Sequence, residues 1–187
     1  MKKIRMSLGV QISILALSSS IVVGAILFIF MMVGMKNIEE YSIEQLSKNM
    51  MESYDDSISG QVDTAISILK YFDEEVTAGE MSEATARNIS ADLIRNLRYG
   101  VDGYFWIDTV DGENVVLLGN ETEGTNRYNL TDVNGFHMIQ EFIKVAQKGG
   151  GFTDFWYPKA GQKEPMPKRG YTNLFQKYNW VVGTGNY

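Results

Sequence analysis

A group of side chains in the C-terminal half has the types and spacing to hold a short organic anion. Tyr104 and Trp106 stand two apart in an alternating stretch, Trp156 and Tyr157 close a second, and Lys168 and Tyr171 open a third. A pocket for such an anion needs an apolar wall, a cation and two or three directed donors, because an unpaired buried charge costs several kcal/mol. Aromatic faces, hydroxyl or indole donors and the Lys168 ammonium together make such a set. Arg127 and Arg98 are alternative cations for the same task. A four-heavy-atom anion, at a ceiling of about 1.5 kcal/mol per atom, would gain roughly 6 kcal/mol, which corresponds to tens of micromolar at best. One conflict is visible: Lys168 and Tyr171 are three apart, so a regular strand sends them to opposite faces and only a bend on entry would reconcile them. Each residue also has a structural reading. Trp106 and Trp180 suit a core, Lys168 beside Arg169 suits a solvated edge pair, and His137 suits a half-exposed bystander on a short helix.

Other chemistries lack their parts. The 187 residues contain no Cys and a single His, which removes thiolate catalysis, cysteinyl metal sites and disulfides, and no Ser sits in a G-x-S-x-G elbow. Asp102, Asp108, Asp111, Asp132 and Asp154 lie near expected strand ends, yet no metal-loop spacing joins them. The glycines at 149–151 and 183–185 fit turns or close backbone contact, since neither group opens a helix after a strand as a phosphate loop requires. The expectation is a non-enzyme with no cofactor and no metal. A formal charge of -6 leaves no basic footprint for nucleic acid.

The elements that must position this group begin with an apolar segment. No charged residue falls between Arg5 and Lys36, and a helix over residues 7–35 is long enough for a hydrocarbon core of about 30 Å. It exceeds the roughly 7 to 15 apolar residues of a cleaved signal peptide. Lys2, Lys3 and Arg5 precede it, which places residues 1–6 in the cytoplasm and residues 36–187 outside the inner or plasma membrane, as a single-pass protein. Without those three, 14 of the 17 basic residues remain against 23 acidic ones, so the exported part carries -9.

From Lys36 onward, Ile38, Tyr41, Leu46, Met50, Tyr54, Ile58, Val62, Ile66, Leu69, Phe72 and Val76 recur mostly every fourth residue, predicting a long juxtamembrane helix over about 36–77. A stripe that long outruns one domain, so its membrane-proximal part reads as a homodimer contact. Ser82 is a plausible N-cap for a second helix to Arg98 that buries Ala86, Ile89, Leu93 and Leu97. The period then changes: Tyr104 to Asp108 and Glu113 to Leu118 read as strands around an Asp111-Gly112 turn. Asp132 is expected to cap a helix from Val133 to Gln147. Phe152 to Tyr157, Arg169 to Gln176 and Trp180 to Tyr187 complete five strands. The fold class is α+β, with the long helix on one face of a five-stranded antiparallel sheet. Residues 119–149 cover the other face and leave a small cavity beneath them.

The blocks GYFWID (103–108), GTNRYNLTDVNG (124–135), GGGFTDFWYPK (149–159), PKRGYTNLF (167–175) and YNWVVGTGNY (178–187) resemble, in order, the signature of the single Cache domain, the PAS-like extracytoplasmic sensor of bacterial chemoreceptors and histidine kinases. The resemblance covers about residues 36–187. It implies a PAS-like sheet over about 101–187, a dimeric receptor, and small carboxylate ligands such as acetate, propionate, lactate or pyruvate. Many members carry a His-Pro pair after the second strand, where this chain reads Leu117-Leu118-Gly119-Asn120. A carboxylate held through that histidine would lose the contact here.

The sequence therefore predicts a membrane-anchored sensor that binds a small organic anion, such as the C2 to C4 carboxylates the resemblance implies, and reports occupancy through the long helix. The alternative is an anchored dimerisation or interaction module without a ligand, which would show a filled core and an exposed apolar patch. With no output segment after Tyr187, the chain reads either as a fragment of a longer receptor or as a protein that works through a partner.

Overall fold

The computed structural model describes residues 7–187; the expected cytoplasmic segment, residues 1–6, lies outside the described residues. Helix α1 spans Leu8–Thr77 and is shared by two compact units, one ending at Met51 and the other running Glu52–Tyr187. In the first unit the helix is long and apolar enough to cross a membrane, and its large apolar side chains are exposed. The hydroxyls of Ser18, Ser19 and Ser20 donate to the carbonyls of Leu15 and Ala16 at 2.9 to 3.0 Å, so these polar groups are satisfied within the helix itself.

In the second unit α1 buries Ile58, Val62, Ala65, Ile66 and Leu69, one stripe at helical spacing. Tyr54, from the same predicted stripe, is exposed, as are Ile38, Tyr41, Leu46 and Met50 in the first unit. The helix stops where Gly79 adopts φ +79°, a left-handed turn that glycine enters without steric cost. Helix α2, Glu83–Asn96, starts at the expected cap, with the Ser82 hydroxyl accepting from Thr85 N at 3.2 Å. Its buried face is rotated from the expected one. Ala86, Ser90, Ala91 and Ile94 pack inward while Ile89 and Leu93 face solvent. Two arginines fix that rotation: Arg87 lies 4.2 Å over the Tyr178 ring and donates to Tyr178 O, and Arg95 pairs with Glu123 at 2.7 Å.

Strands β1 (Phe105–Thr109), β2 (Asn114–Leu117), β3 (Gly151–Pro158), β4 (Pro165–Phe175) and β5 (Trp180–Asn186) form one antiparallel sheet in the order β2-β1-β5-β4-β3. Phe105, Ile107, Val116 and Val182 face α1 and α2 in one core. Tyr104, Trp106, Leu117, Phe155 and Val181 face the opposite way, against helix α3, Met138–Gln147. The two faces follow from the period of two along each strand.

Helix α3 begins later than expected. Residues 133–137 are not helical, because the Asp132 carboxylate is used on a turn: it accepts from Asn134 N (2.8 Å), Phe136 N (3.0 Å) and Trp156 N (3.1 Å), tying the cover to β3. On the far side of the sheet the Glu123 carboxylate accepts from Leu117 N (2.5 Å), Gly119 N (2.8 Å) and Arg95, closing the open edge of β2. Partial burial of Glu123 works against ionisation, but these donors outweigh it and hold the carboxyl below its ordinary value; the same balance applies to Asp132 and its three amides. A carboxylate whose folded value is depressed stabilises above its unfolded value and loses that contribution as pH falls through the folded one. The melting temperature, followed by near-UV circular dichroism, is therefore expected to fall below about pH 4.5, with Glu123→Gln lowering it at pH 7 and flattening the acid limb. An acid limb unchanged in that variant would show that Glu123 stabilises little.

Candidate functional site

Between β1, β3 and β4 on one side and α3 on the other lies a cavity of about 20 Å³, lined by Tyr104, Trp106, Leu117, Arg127, Met138, Ile139, Phe142, Phe155, Tyr157 and Lys168. Alternation along β1 puts Tyr104, just before the strand, and Trp106 on the cavity face. Glycines make room for the indole. A Cβ at Gly183 would collide with the Trp106 ring, and one at Gly170 would meet both Trp106 and Phe155 at 3.0 Å. The ring packs 5.3 Å from Phe142, and Trp106 Nε1 is buried without a hydrogen-bond partner.

Lys168 is the central cation. It is 3% exposed; its Nζ donates to Tyr104 Oη at 2.8 Å, reaches Tyr187 Oη at 3.5 Å, and lies 4.0 and 4.6 Å from the centroids of those two rings. Among the described residues no carboxylate lies within ion-pair distance of it, and Asp102, which acts from further away, is engaged by Lys159 at 3.1 Å. Burial pushes the Lys168 ammonium down to about 7, against the opposing pull of the Asp102 charge. Burial likewise raises the Tyr104 and Tyr187 phenols, which stay neutral donors at neutral pH.

Arg127 also lines the cavity, but its guanidinium is committed. Nε and Nη2 donate to Asp108 Oδ1 at 3.0 and 2.7 Å, and Nη2 to Oδ2 at 2.7 Å, in a pair whose side chains are 6% and 1% exposed. Asn114 Nδ2 adds a third donor to Asp108 at 3.0 Å. The β1–β2 register shifts between Ile107 and Asp108, so Asp108 faces Asn114 directly.

The cavity thus gathers Tyr104, Trp106, Tyr157, Lys168 and Arg127 from the expected set and leaves two residues out. Trp156 is on the opposite face of β3 from Phe155, 39% exposed, with its amide on Asp132. Tyr171 faces away from the cavity and packs 4.9 Å from Phe152; β4 alternates regularly through residues 168–172, and no bend brings Tyr171 round to join Lys168. The alternative cation Arg98 is exposed and donates to the carbonyls of Arg95 and Leu97, and His137 is an exposed N-cap of α3. Sequence reasoning missed Tyr187, whose hydroxyl donates to Pro158 O at 2.7 Å while its ring flanks Lys168. It also missed the apolar roof of Met138, Ile139 and Phe142. The helical periodicity of that segment was the available signal. Leu117, at the end of β2, contributes apolar wall.

The sequence profile described as Single Cache domain 2 matches residues 50–187. The chain is 31% identical over 152 residues to the sensor histidine kinase MctS of Rhizobium johnstonii, covering 81% of this chain and 32% of that protein. It is 27% identical over 147 residues to the methyl-accepting chemotaxis protein McpP of Pseudomonas putida, covering 78% and 27% respectively. The chain therefore spans about a third or less of the length of these curated relatives. Among solved structures, a Cache chemosensory domain described for its carboxylic acid recognition superposes with a TM-score of 0.71 at 30% identity, covering 75% of this chain and 97% of that one. A periplasmic sensor domain of a chemotaxis protein gives 0.71 at 29% identity, covering 74% and 96%. The match in fold, in order of elements and over most of the sequence leads to one conclusion: this chain belongs to the Single Cache domain 2 family.

Proposed function

We propose that residues 52–187 are the extracytoplasmic sensing lobe of a chemotaxis or two-component receptor, and that the lobe binds a C2 to C4 carboxylate at Lys168. The observation that carries this reading is a buried ammonium that faces a cavity and has no carboxylate of its own. Such a charge is costly to keep dry unless something pairs with it, and an incoming carboxylate supplies the missing partner. The Tyr104 hydroxyl and the unpartnered Trp106 Nε1 are donors for its oxygens, and Leu117, Phe142 and Phe155 are wall for its short alkyl part. The Cache domain described for carboxylic acid recognition supports the same ligand class. A cavity of about 20 Å³ is close to the ~10–15 Å³ that a single water requires. The acid must therefore be small and must push a wall aside on entry, and that displacement gives the two states of the lobe different affinities for it.

In this reading residues 7–35 cross the bilayer with the N-terminus cytoplasmic, and α1 carries the change back to the membrane. The exposed apolar positions Ile38, Tyr41, Leu46, Met50 and Tyr54 form the homodimer contact. Titration calorimetry of the whole chain in lipid nanodiscs, against acetate, propionate, lactate, pyruvate, C4 acids and amino acids, tests the proposal. Binding of a small monocarboxylate at tens of micromolar or weaker is expected. Silence across the panel would favour the ligand-free interaction module.

A further inference from the structure

Resting on that reading, we propose that Arg169 is the positioning residue that couples the cavity to the long helix. Lys168 and Arg169 are consecutive on β4, so one peptide bond joins the ammonium on the cavity face to a guanidinium on the face covered by α1. Arg169 Nε and Nη2 take the two oxygens of Asp55 on α1 at 2.6 and 2.8 Å. Its Nη1 takes both oxygens of Asp154 on β3 at 3.0 Å, and the guanidinium lies 4.8 Å over Phe152. This planar fork grips a helix and a strand together, which a flexible point charge does less well.

The place of the grip matters. Asp55 sits just before Ile58, where the buried stripe of α1 begins. Beyond it toward the N-terminus the large apolar side chains of α1 are exposed, so the Arg169 bridge is where the lobe holds that end of its helix. The other ion pair between α1 and the sheet side of the lobe, among the described residues, is Lys177 with Asp73 at 3.9 Å, at the far end of the stripe and with looser geometry. On the other side of Arg169, Gly170 pairs with Gly185, whose missing Cβ leaves the Arg169 carbonyl in close backbone contact. No side chain there takes up a shift before it reaches the guanidinium. A ligand that draws Lys168 off the Tyr104 hydroxyl moves the backbone that holds Arg169, and the two bonds to Asp55 pass that movement to α1.

The natural chain lacks cysteine, so Ser57→Cys on α1 and Lys163→Cys in the exposed β3–β4 loop can be spin-labelled cleanly in the whole chain in nanodiscs, with propionate as the probe. Propionate is expected to shift the distance distribution in the otherwise wild-type chain. Arg169→Gln and Asp55→Asn should each bind propionate within about fivefold of wild type, the low end of an allosteric coupling, yet lose the shift. The exchange Asp55→Arg with Arg169→Asp, made with Asp154→Asn so that no second carboxylate faces the new one across β3 and β4, should restore the shift. A full shift in both single variants, or no shift in a wild-type chain that binds propionate, overturns the coupling role and leaves the ligand reading standing. Absence of calorimetric binding by the wild type overturns both. If Arg169→Gln does not fold, Asp55→Asn reads the same bridge from the helix side.

Discussion

Replacing Lys168 by Met is expected to weaken carboxylate binding by about 100-fold or more, and to make whatever binding remains independent of pH. The magnitude comes from the loss of a charge-assisted contact in a dry site, where truncating one partner of a buried pair costs about 2–5 kcal/mol. The pH behaviour follows from the position of Lys168 near 7 in the free chain. Below that pH the amine is already charged and affinity is flat. Above it, an arriving anion must recruit a proton to Nζ, so affinity falls by up to about tenfold for each pH unit, until the higher value of the complexed lysine is passed. The acids in question remain ionised throughout. Calorimetry at several pH values in buffers of differing ionisation enthalpy would show proton uptake in the wild type and none in the variant. Affinity that stays level from pH 6 to 9 would reject Lys168 as the anion's partner.

The same lysine makes an opposite prediction for the free chain. Its folded value lies below its unfolded value of 10.5, so between about pH 7 and 10.5 the unfolded chain holds a proton that the folded one does not. The lysine's contribution to stability therefore rises with pH across that window, by up to about 1.4 kcal/mol per unit, and is unchanged below it. Lys168→Met should consequently raise the melting temperature at neutral or lower pH while it removes function. Keeping a costly group at a site that works better thermally without it is the trade expected of a binding residue.

Much of this was legible from local patterns. The uncharged run to Met35, the strand alternation around Asp111-Gly112 and the Ser82 cap are written within a few residues of where they act. What was misread depends on contacts distant in sequence. Asp132 has the local look of a helix cap, but one of its three amide donors is Trp156, which only the folded sheet brings near. Counting apolar residues on α2 favours Ile89 and Leu93; the observed face is set by Arg87 and Arg95, whose partners Tyr178 and Glu123 lie in later segments. The Lys168/Tyr171 parity conflict was visible, and a regular strand resolved it against Tyr171. Tyr187 entered the site through antiparallel pairing of β5 with β1, which brings the chain's last residue beside Tyr104.

Arg127 shows the same limit, since its type and place suit an anion while the structure gives its charge to Asp108. Burial pushes the Asp108 carboxyl up, and the guanidinium with its hydrogen bonds and the Asn114 amide pull against that. Removing the acid by Asp108→Ala strands a buried cation, which costs about 3–5 kcal/mol. For a chain of this size the melting temperature should drop by roughly 6–20 °C. The double variant Asp108→Leu with Arg127→Met is expected to recover most of the loss, because it removes both charges and leaves apolar volume. The ligand response should run the other way. With Asp108 gone, the Arg127 guanidinium, already part of the cavity wall, is free to meet a carboxylate, so Asp108→Ala should bind propionate at least as tightly as wild type at a temperature where both are folded. In the double variant affinity should depend on Lys168 alone and resemble wild type. If Asp108→Ala lost binding and stability in proportion, Asp108 would be holding the cavity's shape. Opposite signs would show that its role is to neutralise Arg127, leaving Lys168 as the cation available to an incoming acid.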